Sequence, residues 1–194
     1  MQKLTTDDLY SLERYAKERV EFRTRVLAHK KNRRVMLGTN AALYFEDRLT
    51  IQYQIQEMLR TERIFEVQGI TEELEAYNPL IPDGHNWKAT FMLEYGDETE
   101  RHAALAQLIG IEDRVWVQVG ELSRVFAIAD EDMARSNAQK TSAVHFVRFE
   151  LTSAMIAQVK AGAAIGAGID HPQYQAQVKE MPEAVREALA RDIE

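Results

Sequence analysis

The residues with the clearest chemical potential are a histidine and several carboxylates on otherwise apolar segments. His145 lies in the alternating segment 143–151, on the face that also carries Val147 and Phe149. A buried imidazole must hydrogen-bond to a neighbour or bind a ligand, because leaving it unpaired is costly. This pattern indicates either a core histidine bonded to a backbone carbonyl or a functional side chain, and the sequence leaves both interpretations open.

A second candidate lies on the segment from Thr50 to Arg63, which has helical spacing. Ile51 and Ile55 belong to its apolar stripe, whereas Tyr53, Glu57 and Arg60 fall together on the opposite side. A helix facing only water does not need a tyrosine there, so we expect another element or a partner to cover this side. Glu57 is then either an exposed partner of Arg60 or a buried group bonded elsewhere, and the tyrosine favours the buried alternative.

Three further residues are candidates because of their position in the chain. Glu46 and Arg48 follow an apolar strand, where many sites lie, although acidic turns also serve solubility. His171 stands between Asp170 and Pro172. It is either part of a helix start capped by Asp170, or a ligand or proton carrier at the end of a loop.

Metal and nucleotide motifs give no positive signal. The chain lacks cysteine, which excludes disulfides, thiol catalysis and iron–sulfur clusters held by this chain alone. A glycine series at 162, 166 and 168 fits a helix stop followed by a close-packed strand better than a phosphate loop. A dispersed metal site remains possible, since ligands need only meet in space; its candidates are His145, His171, Glu46 and Glu57.

Composition indicates a soluble protein with a sizeable core. Of 194 residues, 45% are hydrophobic and 28% charged, and no apolar run approaches the length of a membrane helix. The first ten residues lack the apolar core of a signal peptide, so we expect a cytoplasmic location and no membrane partner. No cofactor is indicated.

Charge is distributed unevenly along the chain. Residues 1–34 contain ten Lys/Arg and five Asp/Glu, a net charge of +5, whereas the remainder carries −12. The basic run HKKNRR is short and has no interleaved aromatics, so nucleic-acid binding is not favoured. We interpret residues 1–194 as a single domain, with 1–34 as a basic N-terminal helical arm that packs on the acidic body or on an acidic partner.

The alternation of helical and strand periodicities predicts an α+β fold. We expect an antiparallel or mixed sheet of about five to seven strands, with helices on one face and an N-terminal helical pair. The strands are expected at 34–37, 42–46, 88–95, 114–119, 124–129 and 143–151. The chain after 170 is expected to pass into a helical end.

Several sequence blocks resemble a known bacterial family described only as a domain of unknown function. The blocks are LTTDDLYSLERY, AHKKNRRVMLG, LYFEDRLTIQYQIQEMLR, ELEAYNPLIPDG, LIGIEDRVWVQV, KTSAVHFVRFEL and GIDHPQY. Members of that family are often encoded beside rubrerythrin and an iron–sulfur oxidoreductase similar to a heterodisulfide reductase subunit. The resemblance implies a role in peroxide or oxygen stress and supplies no catalytic residues.

These observations favour a non-catalytic accessory protein of a redox system that acts by protein–protein contact. Its partners would be rubrerythrin and the iron–sulfur oxidoreductase. One alternative is a small enzyme or sensor with a His/carboxylate metal site, and another is a ligand-binding domain with an apolar pocket. We also expect a homodimer, because aromatic faces that the core does not fill commonly self-associate.

Overall fold

Helices and strands alternate along residues 2–194, the part of the chain that the computed structural model describes. The helices are α1 (Leu12–Lys31), α2 (Arg48–Glu62), α3 (Val67–Tyr77), α4 (Glu98–Gln107), α5 (Ser153–Lys160) and α6 (Glu183–Ala190). The strands are β1 (Arg34–Leu37), β2 (Ala41–Phe45), β3 (Asn86–Leu93), β4 (Val115–Val119), β5 (Val125–Phe126), β6 (Ile128–Ala129), β7 (Val144–Glu150), β8 (Ile165–His171) and β9 (Tyr174–Val178).

The strands form two antiparallel sheets, which confirms the α+β class. The larger sheet has the order β1-β2-β3-β7-β6, and the smaller has the order β5-β4-β8-β9. The prediction of one sheet with helices on one face missed this division. Side chains from both sheets merge into one core, to which α4, α5 and α6 also contribute. Helices α2 and α3 form a separate apolar cluster with the N-terminal segment.

The segment 124–129, predicted as one strand, is divided between the two sheets. Val125 pairs with β4 in the small sheet, whereas Ala129 pairs with Val147 of β7 in the large one. Asp130 follows at once, with a left-handed φ of 51° and its amide bonded to the Phe146 carbonyl at 2.9 Å. This crossing brings the acidic end of the segment against β7, where His145 lies.

The N-terminal pair of helices is instead one continuous helix, α1. Ser11 caps it by accepting a hydrogen bond from the Arg14 amide at 3.3 Å, and the capping box at Thr5 belongs to a short 3-10 turn before it. Phe22 and Val26 are buried against α2, where the Phe22 ring lies 6.2 Å from that of Tyr53. The basic helix therefore packs on the body of the protein through an aromatic cluster.

The chain around His171 forms a hairpin rather than a helix start. Strands β8 and β9 pair from Ala167↔Val178 to His171↔Tyr174. Gly162 ends the preceding helix with a φ of +82°, and a Cβ on Gly168 would lie 2.3 Å from the Trp116 ring. The interpretation of the glycine series as a helix stop and a close-packed strand is confirmed.

Among residues 2–194, no helix is both long and apolar enough to cross a membrane.

Candidate functional site

The six candidate residues from the sequence fall into four places in the fold. Tyr53 and Glu57 lie on the side of α2 that α1 covers. Tyr15 Oη donates to Glu57 Oε1 at 2.6 Å, and Arg19 donates to both carboxylate oxygens at 2.8 and 2.7 Å. The bond from Arg19 lowers the pKa of Glu57, while burial and the bond to Glu57 raise the pKa of Tyr15. Glu57 is thus covered by a second element, and this element is α1 rather than the strand of His145.

Glu46 and Arg48 stabilise the start of α2. Glu46 is buried and accepts hydrogen bonds from Thr50 Oγ1 at 2.5 Å and from Thr90 Oγ1 at 2.7 Å. Arg48 forms a salt bridge with Asp8, although its buried Nε has no hydrogen-bond partner. These contacts connect the end of β2 to α2 and β3, and both carboxylate oxygens of Glu46 accept a hydrogen bond.

His171 is buried at the end of β8, and both of its ring nitrogens are occupied by backbone. Nε2 donates to the Ile109 carbonyl at 3.2 Å, and Nδ1 accepts from the Gln173 amide at 3.2 Å. These two hydrogen bonds give the imidazole a structural role, in which it stabilises the hairpin turn between β8 and β9. The structure does not unite His171 with His145, Glu46 and Glu57, so the dispersed metal site built from those four residues is wrong.

His145 is the centre of a buried polar cluster. It is fully inaccessible on β7, and its Nδ1 lies 2.6 Å from Asp130 Oδ2. Because a carboxylate only accepts hydrogen bonds, Nδ1 is the donor. Its Nε2 lies 2.9 Å from Thr141 Oγ1, 3.1 Å from the Ser142 carbonyl and 3.8 Å from Glu112 Oε2.

Glu112 closes the other side of this cluster from the 3-10 turn Ile111–Arg114. Ser136 donates to one oxygen of Glu112, and Thr141 Oγ1 lies 3.1 Å from the other. The two hydroxyl oxygens are 2.7 Å apart. Burial, and then the negative charges of Glu112 and Asp130, raise the pKa of the adjacent Asp113. Glu112 and Asp130 therefore add negative charge around Asp113.

The sequence identified His145 but missed its partners. Asp130, Ser136 and Thr141 belong to the polar segment 130–141, and Glu112 stands in a short turn. The available signal was the density of carboxylates and hydroxyls in that segment. Nothing in their spacing indicates that they meet at β7, because the crossing of the chain between the two sheets decides it.

A groove of about 730 Å³ lies between helices α2 and α3 and the outer side of β3 and β7. Its apolar part includes Met58, Tyr77, Leu80 and Phe146. Lys88 enters it from β3, half-buried, with its Nζ donating to the carbonyls of Pro79 at 2.6 Å and Ile81 at 3.1 Å. Burial, and then the charge of Lys3, lower the pKa of Lys88.

Arg135 connects the groove to the His145 cluster. Its guanidinium lines the groove, stacks 4.6 Å from the centre of the Phe146 ring and lies 3.2 Å from Asp130 Oδ1. It also forms a salt bridge with Asp132. A displacement of Arg135 in the groove wall would therefore alter the environment of the Asp130 carboxylate, which orients His145.

Comparison with known proteins identifies the family of this chain. The family model described as "Protein of unknown function (DUF3501)" matches residues 3–193. A crystal structure of a novel protein of unknown function from Burkholderia pseudomallei is similar to it, with 53% identity, a TM-score of 0.95 and full coverage of both chains. No curated protein matches the chain. The chain belongs to the family of proteins of unknown function described as DUF3501.

Proposed function

We propose that this protein binds a small amphipathic carboxylate in the groove between α2, α3 and the large sheet. The observation that carries the proposal is Lys88, a half-buried ammonium that donates only to backbone carbonyls at one end of an apolar groove. A pocket with an apolar lining, a few convergent polar groups and a titratable group of shifted pKa is the usual form of a ligand site.

Both basic and acidic side chains line the groove, and the pairing of the arginines favours Lys88 as the position for an anionic group. Arg148 forms salt bridges with Glu131 and Glu150, and Arg135 pairs with Asp132. Among residues 2–194, no carboxylate lies within salt-bridge distance of Lys88. A ligand carboxylate at Lys88 would supply the missing counter-charge, and charge-assisted hydrogen bonds contribute about 1.5–3 kcal/mol.

The size and lining of the groove support an aliphatic tail. Its volume of about 730 Å³ is within the range of roughly 300–1,000 Å³ that is typical of small-molecule pockets. Met58, Leu80 and Phe146 offer apolar surface away from the ammonium. Burial of an alkyl chain there contributes about 0.8 kcal/mol per methylene.

Titration calorimetry with dodecanoate tests this function, with dodecanol and acetate as probes of the tail and the head group alone. Dodecanoate should bind with a stoichiometry of one. Lys88→Met should weaken that binding at least tenfold and leave dodecanol unaffected, because only the charged contact is lost. The matched control Lys17→Met, on the exposed side of α1, should change nothing. Absence of dodecanoate binding, or equal binding to Lys88→Met, would refute the proposal.

A second candidate function is the accessory role in a redox or peroxide-stress system. It is favoured by two exposed apolar side chains where the chain enters α3: Phe65, in the connection from α2, is 72% exposed, and Val67, the first residue of α3, is 74% exposed. Exposed apolar surface is a common feature of protein interfaces. The resemblance to a family encoded beside rubrerythrin and an iron–sulfur oxidoreductase supplies the two partners to test.

A pulldown with those two proteins, under reducing and oxidising conditions, tests the accessory role. Enrichment of either protein that is lost in the double variant Phe65→Ser/Val67→Ser would support it. Val20→Ser is a suitable control, since Val20 is 77% exposed and lies on a different element, α1. The accessory role is excluded if neither protein is enriched under either the reducing or the oxidising condition.

A further inference from the structure

Three residues from separate segments place possible metal ligands close together. Glu112, Asp130 and His145 each offer one nitrogen or oxygen atom, and these atoms lie within 4.8 Å of one another. The His145 side chain is fully buried, and the side chains of Glu112 and Asp130 are each 9% exposed. Buried carboxylates are usually paired with a cation. Arg135 lies 3.2 Å from Asp130 Oδ1, whereas among residues 2–194 Glu112 has only His145 within salt-bridge distance.

The hydrogen bond that His145 donates to Asp130 determines which ring nitrogen faces the rest of the cluster. With Nδ1 donating to Asp130, Nε2 is the atom that faces Glu112, Thr141 and Ser142. Metal-binding histidines almost always donate their other ring N–H to a carboxylate or a carbonyl in this way. Asp130 is itself held by the Phe146 amide at 3.1 Å.

Acceptors surround Nε2, and a positive charge there would satisfy them. The Ser142 carbonyl lies 3.1 Å away and can only accept, as can the carboxylate of Glu112 at 3.8 Å. The hydroxyl groups of Ser136 and Thr141 supply only two protons. A neutral Nε2 and the two oxygens of Glu112 are three acceptors and would need three donated protons. One of these acceptors would therefore have no hydrogen-bond donor.

We infer that His145, Glu112, Thr141 and Ser142 form a binding site for a divalent first-row transition metal ion, with Asp130 as the positioning residue. Thr141 Oγ1 lies 2.9 Å from Nε2 and 3.1 Å from Glu112 Oε2, separations suited to neighbouring ligands of one ion. Metal–ligand bonds of about 2.0–2.2 Å also span the 3.8 Å between Nε2 and Glu112.

The donor set indicates which ions fit. One imidazole nitrogen with carboxylate, carbonyl and hydroxyl oxygens suits Zn²⁺, Mn²⁺ or Fe²⁺, and the lack of thiolates disfavours Cu⁺. This inference does not depend on the groove binding a carboxylate. The competing explanation for the charge at Nε2 is a proton, which would make His145 a buried imidazolium between two carboxylates.

Elemental analysis of protein purified without chelator or affinity tag is the first test. Chelator-treated protein is then titrated with Zn²⁺ and Mn²⁺ by calorimetry. We expect about one ion per chain, loss of binding in His145→Gln and Glu112→Gln, and unchanged binding in His171→Gln. Asp130→Asn should weaken binding by about 10–100-fold while the stoichiometry stays at one, which distinguishes positioning from direct ligation.

The inference is overturned if chelator-treated protein takes up neither ion, or if His145→Gln binds as tightly as the parent. Should His145→Gln fail to fold, metal binding is measured on Glu112→Gln and Thr141→Val, because both keep the imidazole and its bond to Asp130. Binding as tight as that of the parent in both variants would overturn the inference. Observation by NMR of a proton on His145 Nε2 in the presence of excess metal would assign the charge to an imidazolium and overturn the metal site.

Discussion

Arg19 on α1 forms a two-point salt bridge with Glu57 on α2, with both nitrogen–oxygen distances under 3 Å. The pair is partly buried, with side-chain exposures of 29% and 22%, and Tyr15 adds a third hydrogen bond to the same carboxylate. The most basic helix of the chain is therefore attached to the body through a specific charged contact in addition to its apolar contacts.

Glu57→Gln should destabilise the protein by about 1–3 kcal/mol, because it removes the charge that Arg19 and Tyr15 both face. This corresponds to a decrease in melting temperature of about 2–4 °C per kcal/mol for a chain of this size. The matched control is Glu18→Gln, whose pair with Arg14 is exposed on α1. That change should cost no more than about 0.5 kcal/mol. Equal melting temperatures for the two variants would contradict a structural role of Glu57.

The same carboxylate should make stability depend on pH in the acidic range. Its pKa is lowered in the folded state, first by the hydrogen bond from Arg19. The contribution is then complete above the ordinary glutamate pKa and is lost as the pH falls through the folded value. Urea unfolding at several pH values should show the difference between the parent and Glu57→Gln shrinking towards zero in acid. A difference that is constant with pH would show that another effect of the substitution dominates.

Arg33→Met should be among the most damaging single changes in the protein. Arg33 is 3% exposed and forms salt bridges with Asp47 at the start of α2 and with Asp192 after α6. Removing it leaves the buried Asp192 without its cationic partner and leaves Asp47 with His29 alone, at a cost of about 3–5 kcal/mol. Arg34→Met is the control, since its pair with Glu94 is exposed and should contribute at most about 1 kcal/mol. Chemical denaturation of both variants measures the difference.

Gly168→Ala should strain the small sheet. An added Cβ would lie 2.3 Å from the Trp116 ring and 2.6 Å from the Ala176 carbonyl, so strand β8 would have to move away from its neighbours. We expect a loss of about 1–3 kcal/mol and a changed near-ultraviolet circular dichroism signal from Trp116. Gly96→Ala, which has open space around its Cβ, should be neutral. A stable Gly168→Ala variant with an unchanged spectrum would show that the sheet can adapt.

The homodimer remains a prediction, and the structure indicates a different surface for it than the tyrosine face of α2. The tyrosine face of α2 is covered by α1, whereas Phe65 and Val67 remain exposed. We expect light scattering at micromolar concentration to give the dimer mass and the Phe65→Ser/Val67→Ser variant to give the monomer mass. A monomer mass for the parent chain would reject the dimer.

Local sequence patterns predicted many elements of the fold. Strands β1, β2, β3, β4 and β7 match the expected segments to within a few residues, because alternating apolar residues specify a half-buried strand directly. Strand β9 and its pairing with β8 were missed, since β9 is short and partly polar. The break expected within α1 does not occur, because contacts of Phe22 and Val26 with the body extend the helix through it.

The sequence by itself determined the α+β class, the buried face of β7 and the need of His145 for a polar partner, because these follow from residue type and periodicity. Only the tertiary structure decided which residues meet that need. Ile128 and Ala129 leave the small sheet to pair with β7, and this long-range pairing carries Asp130 to His145, while the turn before β4 brings Glu112. Neighbours across sheets depend on how the strands pair, which the local pattern does not encode.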